Sequence, residues 1–115
     1  MKKIKYSQDY RDKIRKMKRD LDIRFDKEIR LEVFRKINLR IQSIKENEEI
    51  GISVKEMFGV DTDYQVIYAA KNYIFYRIGQ DEIFIVNIYN EREDFMWKLF
   101  GIKTTTQETE EYWGE

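Results

Sequence analysis

The chain has 115 residues, a length that suits one domain burying about two thirds of its unfolded surface without staples. It contains no cysteine and no histidine. Disulfides, thiolate metal sites and imidazole acid–base catalysis are therefore excluded, and any chemistry must run on Arg, Lys, Tyr, carboxylates or hydroxyls. The formal net charge is zero, yet residues 1–40 hold 15 Lys or Arg against 7 Asp or Glu, and the remainder holds 7 against 15.

That asymmetry has two readings. A basic helical half can meet RNA, DNA or an acidic protein, or the two complementary halves simply attract each other. Charged residues make up 38% of the chain, well above the usual share, as expected for long solvated helix faces. No apolar run is long enough to span a membrane, and the basic N-terminus lacks the apolar stretch of a signal peptide, so a cytoplasmic address is expected.

Lys2 to Tyr6 alternates basic and apolar residues and reads as a short strand at a sheet edge, where Lys discourages aggregation. Ser7 offers an N-cap. Tyr10, Ile14, Met17 and Leu21 then form one helical stripe. A longer helix from about Phe25 to Lys45 carries Ile29, Val33, Ile37, Ile41 and Ile44, widened by Phe34. Asp20 to Arg24 has no Gly or Pro, so the pair reads either as one bent element or as a helical hairpin, which packs better in a short domain.

Gly51 is expected to stop this pattern. Ser53-Val54-Lys55-Glu56 is a capping-box signature with Gly59 placed to end a single turn of helix. Three strands follow, Tyr64–Ala69, Tyr73–Ile78 and Ile83–Tyr89, rich in aromatic and β-branched residues at hairpin spacing. Lys71-Asn72 and Gly79-Gln80-Asp81 are the expected turns, with Asn and Gly free to take positive φ. The third strand, apolar on both faces, is the candidate central strand. Phe84, Val86 and Ile88 are expected to face the helices. A last helix, starting near Asn90, includes Phe95, Met96, Leu99 and Phe100 and stops at Gly101. Residues 103–115 form a polar tail anchored only by Tyr112 and Trp113, and there is no internal repeat. The fold class is α+β, a short strand and helical hairpin packed on an antiparallel sheet.

No nucleophile elbow, phosphate-cradling glycine loop or metal-ligand spacing is present. Paired acids such as Glu48-Glu49 and Glu110-Glu111 read as solvated faces. The segment from Tyr73-Ile74-Phe75-Tyr76-Arg77-Ile78 through Ile83–Tyr89 to Asn90-Glu91-Arg92-Glu93-Asp94-Phe95-Met96 is more specific. It sets one Arg in a strand and another just past the end of its neighbour, and Phe100-Gly101-Ile102 closes the element.

This order resembles the RelE/ParE superfamily of toxins from bacterial type II toxin–antitoxin operons. The resemblance covers residues 1–102 at the level of fold and about 64–102 at the level of residues. It implies a single RelE/ParE-like domain over 1–102 and a cognate antitoxin that wraps the surface. Like the RelE branch, such a protein would cleave mRNA on the ribosome without a metal or cofactor, because RNA's own 2′-OH is the nucleophile and the protein stabilises charge at phosphorus.

The resemblance implies Arg92, Arg77 and Tyr89 as the catalytic set and Lys98 as a phosphate contact. Arg92 matches the family's Arg at the end of the last strand. Arg77 lies in the right strand but away from its start, which here reads Asn72-Tyr73. Phe95, Trp97 and Lys98 occupy the place of the family's C-terminal Tyr, leaving Tyr89 as the substitute.

Two other readings stand beside it. A ParE-like protein would inhibit DNA gyrase by binding alone, and a non-toxic module would bind a protein through its aromatic sheet. Each residue also has a structural reading: Arg77 paired with Glu82 across the hairpin, Arg92 in a helix-start ion pair, and Tyr73, Phe75 and Tyr76 as sheet packing. A concave basic patch uniting Arg77 and Arg92 would favour the ribonuclease. Exposed hairpin residues without such a cleft would favour the gyrase binder.

Overall fold

The computed structural model describes residues 2–101. The expected 103–115 tail, with Tyr112 and Trp113, lies outside them. Strand β1 (Lys3–Tyr6) leads into α1 (Gln8–Arg24), α2 (Lys27–Glu46), β2 (Ile52–Ser53), α3 (Val54–Phe58), β3 (Gln65–Ala69), β4 (Asn72–Ile78), β5 (Glu82–Asn90) and α4 (Phe95–Phe100). The sheet order is β1-β5-β4-β3-β2. All pairings are antiparallel except the edge strand β1, which runs parallel to β5.

Local chemistry sets the helix ends where expected. The Ser7 hydroxyl accepts from the Tyr10 amide at 3.0 Å and opens α1. Ser53 accepts from Glu56 N–H, and Gly59 closes α3 at φ 73°, a left-handed conformation that suits glycine. The two long helices are a hairpin. The break falls one step past the Gly-free stretch, where Phe25 is extended and the Asp26 carboxylate accepts from Ile29 N–H at 3.0 Å. An ion pair between Asp22 and Arg30 ties the helices across that turn.

The helices and the short elements lie on opposite faces of the sheet. On the hairpin face Ile37, Ile41 and Ile44 meet Ile67, Ile74, Tyr76, Ile83, Ile85 and Ile88. On the other face Val54, Val66, Phe75 and Tyr89 are covered by Phe58, Phe95, Leu99 and Phe100. The α2 stripe holds from Val33 onward, but Ile29 is exposed. Tyr76 is fully buried, and its hydroxyl accepts from Gly51 N–H at 2.9 Å. Its proton reaches Glu48 O at 2.8 Å or Gln65 Oε1 at 2.9 Å. A Cβ on Gly51 would sit 2.5 Å from that hydroxyl, so glycine is needed there for close approach, beyond the end of α2.

Several expectations are corrected. The β3–β4 turn is Ala70-Lys71, both at positive φ (49° and 64°), and Asn72 is a buried residue of β4. Gly79 does not take positive φ; a Cβ there would meet Glu82 O at 2.8 Å. Helix α4 begins at Phe95, capped by Asp94, after a turn that follows Asn90. Strand β5 is interior, although β4 holds the middle position.

The facing of β5 is also revised. Phe75 pairs with Asn87 and Tyr76 with Ile85, so Val86 is an extra residue and the side-chain phase flips. Ile83 and Ile85 face the helices before the bulge and Ile88 after it, while Phe84 is exposed. Strict alternation wrongly sends Phe84 and Val86 inward and correctly sends Ile88.

Candidate functional site

Strand β1 pairs only with Glu82–Ile85 of β5. Beyond the bulge, the outer edge of β5 has no strand partner, and its carbonyls need other donors. The chain re-entering from β1 supplies them. The Ser7 hydroxyl donates to Val86 O. Two turns of helix later, Lys13 Nζ donates to Ile88 O at 3.2 Å.

The same ammonium sits 3.3 Å from the centre of the Tyr89 ring, a cation–π seat. Partial burial lowers the Lys13 pKa to about 8, against the raising influence of Glu93 and Asp9 and with a small lowering push from Lys98. Tyr89 is buried, its hydroxyl accepts from Asn87 Nδ2 at 3.1 Å, and desolvation raises its pKa.

Arg92 and Lys98 belong to this same end of the sheet. Glu93 links them to it: its carboxylate accepts from Asn90 N–H at 2.9 Å and pairs with Lys98 Nζ at 3.3 Å. Arg92 is exposed, and the side chain of Asn90 accepts from its backbone N–H. It makes no ion pair among the described residues, so the helix-start pairing with its acidic neighbours does not form. Three of the four expected residues thus meet at the C-terminal end of β5.

Arg77 does not join them. It lies five positions along β4 from Asn72, the partner of Asn90, or about 17 Å along the strand. Its partner is not Glu82, which pairs with Lys5 at 3.0 Å. The guanidinium instead makes two 2.9 Å bonds to the Asp63 carboxylate and lies 5.5 Å from the Tyr64 ring. Those bonds hold Asp63 below the usual carboxylate range and push Arg77 higher still.

Tyr73 and Phe75 are packing residues, as their structural reading had it: both rings pack at a tilt against Phe95 of α4, at 5.0 and 5.5 Å between centres. Sequence reasoning missed Lys13. Its position on α1 reads as a charged face, and only the crossing of α1 over the unpaired edge of β5 gives it a role. Basic residues also gather between the hairpin helices, where Arg11, Arg15, Lys18 and Arg30 line a groove of about 690 Å³ with Asp22. At the hairpin tip Ile23 is 84% exposed, and Phe25, Ile29 and Leu31 are exposed beside it.

The short strand, helical hairpin, bulged antiparallel sheet and short terminal helix define a RelE/ParE-like fold. A chain of the solved structure "Chromosomal ParDE TA system from P. aeruginosa" is similar to this one with a TM-score of 0.64, covering 78% of this chain and 96% of that one. At 12% identity, the likeness is one of fold. No family profile and no curated protein matches the sequence. Among the described residues no helix is long and apolar enough to cross a membrane.

Proposed function

We propose that the protein is the toxin of a type II toxin–antitoxin pair and that it acts by binding, in the manner of a ParE-type inhibitor of DNA gyrase. The observation that carries this choice is the separation of Arg77 from Arg92. Phosphoryl transfer through RNA's 2′-OH needs several cations converging on one phosphate. Here one of the two arginines is occupied by Asp63 at the far end of β4. The exposed apolar tip of the hairpin and its basic groove support a binding surface instead, since apolar anchors rimmed by charge suit macromolecular recognition. The cognate antitoxin is the partner that would cover this surface.

A ribosome-dependent ribonuclease remains the second reading, favoured by one fact: Tyr89, Arg92, Lys98 and Lys13 share one end of the sheet. Induced expression in a bacterial host, with DNA and protein synthesis followed separately, decides between them. We expect growth arrest with DNA synthesis failing first, relieved by Ile23→Asp with Phe25→Asp and unaffected by Arg77→Ala or Arg92→Ala. Translation failing first, with relief by Arg92→Ala alone, would replace this reading with the ribonuclease. An absence of arrest would leave the non-toxic interaction module.

A further inference from the structure

Part of the sheet face opposite the hairpin has no helix over it among the described residues. Helices α3 and α4 cover Val66, Phe75 and Tyr89. Beyond them Tyr64, Arg77, Phe84 and Lys5 form a row across the sheet. Arg77 is the register partner of Phe84 and Phe84 that of Lys5, while the Arg77 guanidinium lies 5.5 Å from the Tyr64 ring. Phe84 stands on this face because its neighbours Ile83 and Ile85 point to the helices, and 42% of it is exposed.

A second groove, of about 530 Å³, follows this row and is lined by Lys5, Tyr64, Arg77, Phe84 and Val86. Tyr64 and Arg77 also line a hollow of about 480 Å³ together with Leu99 and Phe100 of α4. Phe100 packs at 5.7 Å against Tyr64, and Gly101, left-handed at φ 69°, ends α4 there. The path from the end of α4 into the groove is therefore continuous.

We propose that the occupant of this groove is the chain's own segment 102–115, which crosses the row and seats Tyr112 and Trp113 on Phe84. Reach allows it. The row spans three strand spacings, about 14 Å, and Trp113 is twelve residues beyond Gly101, a contour of about 40 Å. Charge favours it, because the segment holds one Lys and four Glu, leaving residues 1–101 at +3 against its −3. The order of charges agrees as well. Lys103 leaves α4 beside the hollow that Asp61 and Asp63 line, and Glu108, Glu110 and Glu111 come later, towards the Lys5 end of the row. Asp63 and Glu82 already bond Arg77 and Lys5, whereas Lys3, exposed on the same face of β1, makes no ion pair among the described residues. Charge thus steers the segment, and the aromatic contact holds it: an exposed phenylalanine flanked by cationic stems is a surface that an indole or phenol ring covers well. A partner using this face must first displace the segment, which makes it an intramolecular competitor whatever target the toxin reading assigns.

The test uses the full chain carrying Trp97→Phe, which leaves Trp113 as its one indole. Trp113 should emit at shorter wavelength, and acrylamide should quench it several-fold less, than in a synthetic peptide of residues 102–115, with no change on dilution. Adding Phe84→Ala, with circular dichroism unchanged, should bring quenching to the peptide's level. Adding Tyr68→Ala instead, which removes an equally exposed ring at the other end of β3, should leave the protection intact. Quenching equal to the peptide's before either addition would overturn the proposal. Protection that survives Phe84→Ala, or is lost in both variants alike, would overturn the seat, and protection lost on dilution would give the segment to a second copy of the chain.

Discussion

On the hairpin side of the sheet the buried layer is almost wholly aliphatic, eight isoleucines with two tyrosines and an alanine, clamped by helices of 17 and 20 residues. On the opposite side it is aromatic. Phe95 packs edge-on or tilted against Phe58, Tyr73 and Phe75, and Phe100 likewise against Tyr64 and Phe75, under helices of only five and six residues. Long helices can bury a sheet with small repeated contacts, because each turn adds another branched side chain to the stripe. A six-residue helix has no stability of its own and must be held by a few large rings. The difference teaches where motion is cheap: α4, which carries Lys98 and follows Arg92, rides on the side with fewer independent contacts.

The largest effect should come from the aliphatic side. Ile41 has no exposed surface, and Ile41→Ala leaves a cavity that rigid helices close only partly. Equilibrium denaturation should show a loss of about 2–5 kcal/mol. A loss well under that range would mean the hairpin face repacks as freely as the aromatic one. Phe95→Ala should cost less, about 2 kcal/mol, because this ring is only part-buried. Its effect should also be local. Hydrogen exchange is expected to quicken over 95–100 while the amides of 37–44 stay protected, and uniform loss of protection would break the distinction between the two sides.

Much of this architecture is legible in residue spacing, and the exceptions have identifiable causes. Caps at Ser7, Ser53, Gly59 and Gly101 depend on neighbours within a turn, so local pattern suffices. The stripe Val33, Ile37, Ile41 and Ile44 is likewise local, whereas Ile29, at the same spacing, is exposed. The bulge at Val86 has no composition signal in a strand apolar on both faces, and it reverses the facing of Phe84. Ala70 and Lys71 accept positive φ because a two-residue hairpin turn with the strands' right-handed twist demands it, even where Asn stands next in line. At the candidate site, Arg92 and Lys98 follow from their proximity in the chain. Arg77's pairing to Asp63 and Lys13's seat on Tyr89 span 14 and 76 residues, distances over which no spacing rule speaks.

Lys13 sharpens the comparison through pH, since it belongs to the helix side yet touches a ring of the aromatic side. Its pKa is lowered from an ordinary 10.5 to about 8 on folding. Between those values the unfolded chain binds more protons than the folded one, so this group makes stability rise with pH across that window. Lys13→Met keeps the apolar stem and removes the titration. The difference in unfolding free energy between wild type and variant, followed from pH 7 to 10, should therefore move in favour of the wild type. A difference independent of pH would mean that the ammonium is well solvated and that its partial burial imposes no penalty.

The smallest effect is expected at Arg77, the arginine that stands apart from the others. Its two bonds to Asp63 join exposed groups, and water and salt screen such a pair, so Arg77→Ala should change stability by less than about 1 kcal/mol. The sign of its pH dependence is nevertheless defined. Asp63 titrates lower in the folded protein than when unfolded, chiefly because the guanidinium bonds to its charged form. The stabilisation is therefore present above the unfolded carboxylate value and fades as pH falls through the folded one. Carboxylate NMR titration of Asp63 in both proteins reads this directly: the variant's midpoint should rise towards that of a free aspartate. An unmoved midpoint would mean the pair is not held in solution, leaving Arg77 free of Asp63 although still about 17 Å along β4 from the cations at the end of β5.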